Sequence, residues 1–211
     1  MTDEKVYTLE APINPQNERV NATGKKRDVL PESLLLPVSS LRSSLKLMVF
    51  CAFSMRGKVC IHIFLPGTSV DGEVYRQLLS DKLLPTCAEV YPDGDFILQQ
   101  DGAGAHKAKE TQDMLRGLSD RFGIRFIPWK EWPPYSPDAN ACDYRAWADS
   151  IREVYADGTP PSLEVLRERI MRWWDNLSVE RVQKWMKELR PRMEKIVAEG
   201  RRQIEQYFNK I

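Results

Sequence analysis

The chain has no CxxC pair. Its four cysteines, Cys51, Cys60, Cys87 and Cys142, are scattered. That spacing excludes a zinc motif or a disulfide framework, and a reduced, intracellular compartment is the expectation. Charge bias is equally absent. Lys and Arg number 31 against 30 Asp and Glu, a net charge of +1. The total does not advertise a polyanionic partner, although a local patch can sit inside a neutral sum. No apolar run approaches the length of a membrane span. The first ten residues are polar and charged, unlike a secretory leader. No internal repeat is visible. What remains is a composition of 42% hydrophobic and 29% charged residues over 211 positions. That suits one soluble domain, or one domain with an appendage, able to bury a substantial core.

Periodicity then places the elements. Lys5–Leu9 alternates polar and apolar and predicts a strand, with Asp3 and Glu4 at its front edge. Residues 11–45 carry Pro, Asn, Gly and a basic knot at Lys25-Lys26-Arg27. They predict a long excursion, with short strands near Arg19-Val20; solvation is the usual fate of such a knot, and DNA contact the minority one. Leu45–Phe53 and Val59–Leu65 form a hairpin about the turn at residues 54–58. His62 lies inside the return strand with no second metal-binding residue at useful spacing, so it reads as structural. Asp71 can cap a helix carrying Val74, Leu78, Leu79 and Leu83, which Pro85 should limit. Phe96–Gln100 is a short strand.

A helix over about 107–118 should close at Gly123, before a strand at Ile124–Ile127. Trp129–Asp138 is a rigid, proline-rich connection. Asp138 or Asn140 can cap a helix whose face is Tyr144, Trp147, Ile151 and Val154. Further helices follow from Ser162 and Ser178, with Pro191 kinking the last or breaking it at Arg190. From Ser178 onward there are nine Lys/Arg against five Glu. The tryptophans of this half read as packing anchors more readily than as base-stacking platforms. The order of elements predicts an α/β fold: a mixed five-stranded sheet flanked by helices.

Three acids occupy comparable places: Asp3 at the start of the first strand, Asp101 after the fourth, and Asp143 opening a helix after the fifth. Two readings of Asp101 stand. Asp-Gly is a common turn pair, and strand ends are also where α/β folds place chemistry. If the first and fourth strands are neighbours, the three carboxylates can converge. They would then repel one another unless a cation neutralised them. Mg²⁺ or Mn²⁺ prefers such oxygen ligands, and two such ions about 3.5–4 Å apart suit in-line phosphoryl transfer.

Longer strings carry a family likeness. Gln99-Gln100-Asp101-Gly102-Ala103-Gly104-Ala105-His106 resembles the second-acid motif of mariner-like transposases. Trp132-Pro133-Pro134-Tyr135-Ser136-Pro137-Asp138-Ala139-Asn140-Ala141-Cys142-Asp143-Tyr144 resembles their third-acid motif. Thr2–Tyr7 and Leu47–Phe50 resemble the first-acid strand and the strand after it. The chain departs from the pattern at Gly104, where the family usually has proline, and at Ala139-Asn140-Ala141, where Leu-Asn-Pro is usual. Its 41 residues between Asp101 and Asp143 are more than usual, with the surplus expected within 117–131.

The resemblance implies a ribonuclease-H-like catalytic domain over residues 1–157 and a helical C-terminal extension over 158–211 packed on it. It implies catalytic, metal-binding acids Asp3, Asp101 and Asp143 holding two Mg²⁺ or Mn²⁺ ions. It makes Asp138 a structural cap. His106, Lys107 and Lys109 are the candidate nucleic-acid contacts, His106 being equally suited to a capping role. The expected partner is DNA, both transposon ends and target, with a homodimer as an option, no membrane and no small-molecule substrate. The expected location is the nucleus. Family members carry N-terminal helix-turn-helix domains that have no counterpart here, so a truncated catalytic domain is expected. The alternatives are a decayed remnant that at most binds nucleic acid or a partner weakly, and a nuclease or ribonuclease H of the same fold.

Overall fold

Strand β2 (Lys46–Ser54) is the centre of the fold because it is apolar on both faces. Successive side chains of a strand point to opposite sides. Leu47, Val49, Cys51 and Phe53 enter one buried cluster, and Phe50 and Ala52 enter another. In the computed structural model, which describes residues 1–9, 45–133, 136–200 and Ile204, β1 (Thr2–Thr8) and β3 (Gly57–Ile63) flank it antiparallel. The basic knot at 25–27, the short strands near Arg19-Val20 and Pro134-Tyr135 lie outside the described residues.

One face of this sheet is covered by α1 (Gly72–Leu78), a π-helical turn (Leu79–Leu83), α2 (Leu84–Val90), α3 (Gly104–Lys107) and α4 (Lys109–Phe122). Asp71 caps α1 as expected, its carboxylate accepting from the Glu73 and Val74 amides at 3.0 Å. Pro85 does not stop the helix. It sits in the first turn of α2, and the wider π turn before it accommodates a residue with no N–H to give. Gly123, at φ 67°, closes α4.

The other face is covered by α5 (Trp147–Val154), α6 (Leu163–Asn176) and α7 (Val179–Lys187), with α8 (Leu189–Ala198) beyond them. Ser162 and Ser178 cap α6 and α7. Phe53 packs between Trp174 and Trp185, at ring-centroid distances of 5.5 and 5.9 Å. Each such buried ring contributes about 1.5–3 kcal/mol. Trp147 and Trp173 are buried in the same cluster, as packing anchors. Lys58 Nζ donates to the last carbonyls of α6, at Trp174 and Asp175. Gly57 opens β3 at φ 111°, and a Cβ there would come within 3.2 Å of Val179 Cγ2. Helix α7 therefore lies close on the hairpin. The break expected at Arg190 falls earlier, at Glu188. Pro191 cannot bond the Lys187 carbonyl and its ring crowds it, so Pro191 sits in the first turn of α8.

The sheet itself differs from expectation. The five strands form two sheets: β1-β2-β3, and a parallel pair of β4 (Ile97–Leu98) with β5 (Arg125–Phe126). Only Thr2 of β1 reaches the fourth strand, where its amide and hydroxyl both donate to the Gln99 carbonyl at 3.1 Å. One residue of overlap makes a seam, not a ladder. Among the described residues, no helix is long and apolar enough to cross a membrane.

Candidate active site

Asp3 and Glu4 are consecutive on β1, so the pleat sends them to opposite faces. Asp3 stands opposite Cys51 and faces the side covered by α5. Its Oδ2 accepts a 2.6 Å hydrogen bond from Trp147 Nε1. Trp147 lies four residues after Asp143, one helical turn away on the same face. Asp143 itself sits in a π-helical turn (Cys142–Ala146) and shares a hydrogen bond with Asp3. Burial and the charge of Asp143 push the Asp3 carboxyl up to about 7. Burial, with Asp101 nearby, pushes Asp143 up to about 6. Both carboxyls are therefore held above the ordinary carboxylate range.

Asp101 lies past the end of β4 and is not part of that contact. Its Oδ1 accepts from the Ala103 amide at 2.9 Å and meets His106 Nδ1 at 2.7 Å. The His106 hydrogen bond holds its carboxyl below the usual range. His106 is buried, its ring 4.2 Å from that of Tyr75, and its Nε2 lies 3.4 Å from Glu4 Oε1. Burial pulls the imidazole down, but hydrogen bonds to Asp101 and Glu4 overcome it and raise the group to about 9. The ring is thus a strut between β1 and the turn that carries Asp101. Lys107 and Lys109 are exposed at the two sides of the break between α3 and α4.

A cleft of about 500 Å³ opens at this place, lined among others by Asp101, Asp143, Lys107, Trp129, Lys130 and Trp132. The loop behind it is held from two sides. Asn140 Nδ2 donates to the Thr2 carbonyl at 3.3 Å, and its Oδ1 accepts from the Cys142 amide at 3.1 Å. Asn140 is therefore the residue that caps the turn bearing Asp143. Asp138, expected to cap that helix, is buried elsewhere. It meets Arg192 Nη1 at 3.3 Å and accepts from the Ile204 amide at 2.9 Å. The longer range of its carboxylate partners made it a clamp on α8.

Hard carboxylate oxygens suit Mg²⁺ or Mn²⁺. The Asp3–Asp143 pair fits such an ion on that ground. Among the described residues, no three His, Cys, Asp or Glu side chains are already grouped as a cation cage. Three participants were not legible as such: Glu4, Trp147 and Trp129. The pleat alone separates Glu4 from Asp3, and the spacing of four ties Trp147 to Asp143. Nothing in the sequence placed Trp129 at the cleft.

Asp3 and Asp143 meet at a strand start and a helix start, Asp101 stands apart from them past a strand end, and the helix-covered sheet that carries them is a fold shared with solved transposase structures. Among the solved structures it matches are several of the Mos1 mariner transposase. A paired-end complex with Mg has a TM-score of 0.73 at 22% identity over 97% of this chain and 56% of that one. A paired-end complex with Mn has a TM-score of 0.70 at 21% identity, with the same coverage. The isolated Mos1 catalytic domain has a TM-score of 0.66 at 24% identity over 76% of this chain and 77% of that one. The chain thus spans a little over half the length of the transposase chains in those complexes. No family model and no curated protein sequence matches it.

Proposed function

We propose that this chain is the catalytic core of a DNA transposase, cutting a phosphodiester at an element end and joining the freed 3′-OH to a target strand. The observation that carries the reading is that Asp101 and Asp143 line one cleft of a transposase-like fold, with the buried Asp3 carboxyl in contact with Asp143 behind it. Asp3 and Asp143 would hold a divalent cation, and Asp101 would complete the set for a second. When bound, such ions neutralise charge developing on the attacking and leaving oxygens. The chain's own residues supply placement. Trp147 Nε1 fixes the orientation of Asp3, and Asn140 fixes the turn bearing Asp143. His106 and the Ala103 amide both bind Oδ1 of Asp101, leaving Oδ2 to other partners. Lys107 and Lys109 suit backbone phosphates, which position a strand without reading sequence. Action on chromosomal DNA implies a nuclear location, and pairing two element ends implies a second copy of the chain.

The test is DNA nicking in Mn²⁺ by the wild-type protein and by Asp101→Ala. Loss of nicking in the variant is expected; equal activity in both would sink the metal-site assignment. A second reading, a remnant that binds without cutting, is favoured by the engagement of Asp101 with His106 and by the absence of a three-residue cation group among the described residues. Calorimetry separates the two, since the remnant should show no saturable Mn²⁺ binding.

A further inference from the structure

Trp129 and Trp132 behave unlike the four other tryptophans of the chain. Trp147, Trp173, Trp174 and Trp185 are buried in the core. Trp129 and Trp132 are half-buried and line the cleft that holds Asp101 and Asp143. Two exposed ammonium groups attend the same indole: Lys107 Nζ and Lys130 Nζ lie 5.9 and 5.7 Å from the Trp129 ring centroid. The turn presenting these rings is stiff. Pro128 and Pro133 bracket it, and the Glu131 amide donates to the Pro128 carbonyl at 2.9 Å.

We propose that Trp129, flanked by Lys107 and Lys130, is a stacking subsite for an unpaired nucleobase of the DNA strand that enters the cleft. An indole face with cations beside it matches both halves of a nucleotide: the base stacks and the phosphate meets an ammonium. An exposed cation–π contact is weaker than a base stacked on an aromatic ring. An arriving base therefore displaces a lysine from the ring, and the freed ammonium turns to the phosphate. Bases inside a duplex have their faces covered by their neighbours, so the subsite selects a nucleotide out of the stack. A preorganised turn loses little freedom on binding, which favours this use of the stiff segment. The proposal rests on the DNA-processing reading for its ligand, but not for its test.

The test is fluorescence-anisotropy binding of a labelled single-stranded oligodeoxynucleotide and of an abasic oligomer of the same length, in EDTA. Trp129→Ala should weaken binding of the base-bearing strand by roughly 5- to 150-fold, the range of one stacked base at about 1.4 kcal/mol per decade. Trp129→Phe should retain most of the affinity. The abasic oligomer should bind wild type and Trp129→Ala alike. Should the alanine variant melt early, Trp129→Leu takes its place, keeping apolar bulk without a π face. Equal loss on both oligomers, no loss on either, or no saturable binding by the wild type overturns the subsite. Binding is read without divalent metal and without cleavage. Failure to nick DNA therefore refutes the transposase reading alone, and indifference to Trp129 refutes the subsite alone.

Discussion

Asparagine in place of Asp3 should make the metal-free protein more stable, and by an amount that depends on pH. A carboxyl raised from 3.8 to about 7 on folding binds its proton better in the folded chain than in the unfolded one. Stability is then full at pH below the unfolded value, falls as pH climbs through the window between the two values, and levels off above about 7. At 1.36 kcal/mol per unit, about three units amount to an upper bound of about 4 kcal/mol near pH 8, and to about 1 kcal/mol near pH 4.5. Asp3→Asn copies the protonated form. Its side-chain oxygen can still accept the Trp147 indole N–H, and it cannot repel Asp143. For a chain of this size each kcal/mol moves the melting midpoint by about 2–4 °C. Thermal melts in EDTA should therefore show the variant melting on the order of 10 °C above wild type near pH 8, with the gap narrowing to about 2–4 °C near pH 4.5. Millimolar Mg²⁺ should close the gap by stabilising the wild type alone. A variant that loses stability near pH 8, or gains equally at both pH values, refutes the description of Asp3 and Asp143 as mutually destabilising acids.

Two further predictions concern the frame around the site. Arg192→Met strips the buried Asp138 carboxylate of its guanidinium partner and removes the cation lying 4.0 Å over the Tyr144 ring. It should cost about 3–5 kcal/mol in urea unfolding, and Asp138→Asn in the same chain should recover part of that. Gly57→Ala places a Cβ at φ 111° and within 3.2 Å of Val179. It should cost about 1–3 kcal/mol, read as a lower denaturation midpoint; a neutral result would mean that α7 does not lie on the hairpin.

What could be read from the sequence was chemistry acting over one turn or along one strand. Asp71, Ser178 and Gly123 announce helix ends through bonds made within a few residues, and each does that work. The alternation along β2 shows a strand covered on both faces. Proline was the less certain sign, because its effect depends on the turn around it: Pro85 rides a π turn and Pro191 enters a first turn. The division of the sheet could not be read, since it depends on whether one residue, Thr2, or several meet the fourth strand. Residue types and element ends singled out Asp3, Asp101 and Asp143. That Asp101 turns to His106 while Asp143 bonds to Asp3 depends on contacts across most of the chain.

Those same contacts govern the order in which the molecule can mature. Trp147 and Asp3 are 144 residues apart in sequence, Asn140 and Thr2 are 138 apart, and Thr2 and Gln99 are 97 apart. Closing loops of that length is slow, and none of them rewards the chain until the elements between are in place. The hairpin and the capped helices can form early, because their bonds are local. The acid pair forms only at the end. A partly folded chain then carries helices and hairpin but no paired carboxylates. The pairing of Asp3 with Asp143 becomes a certificate that folding has finished.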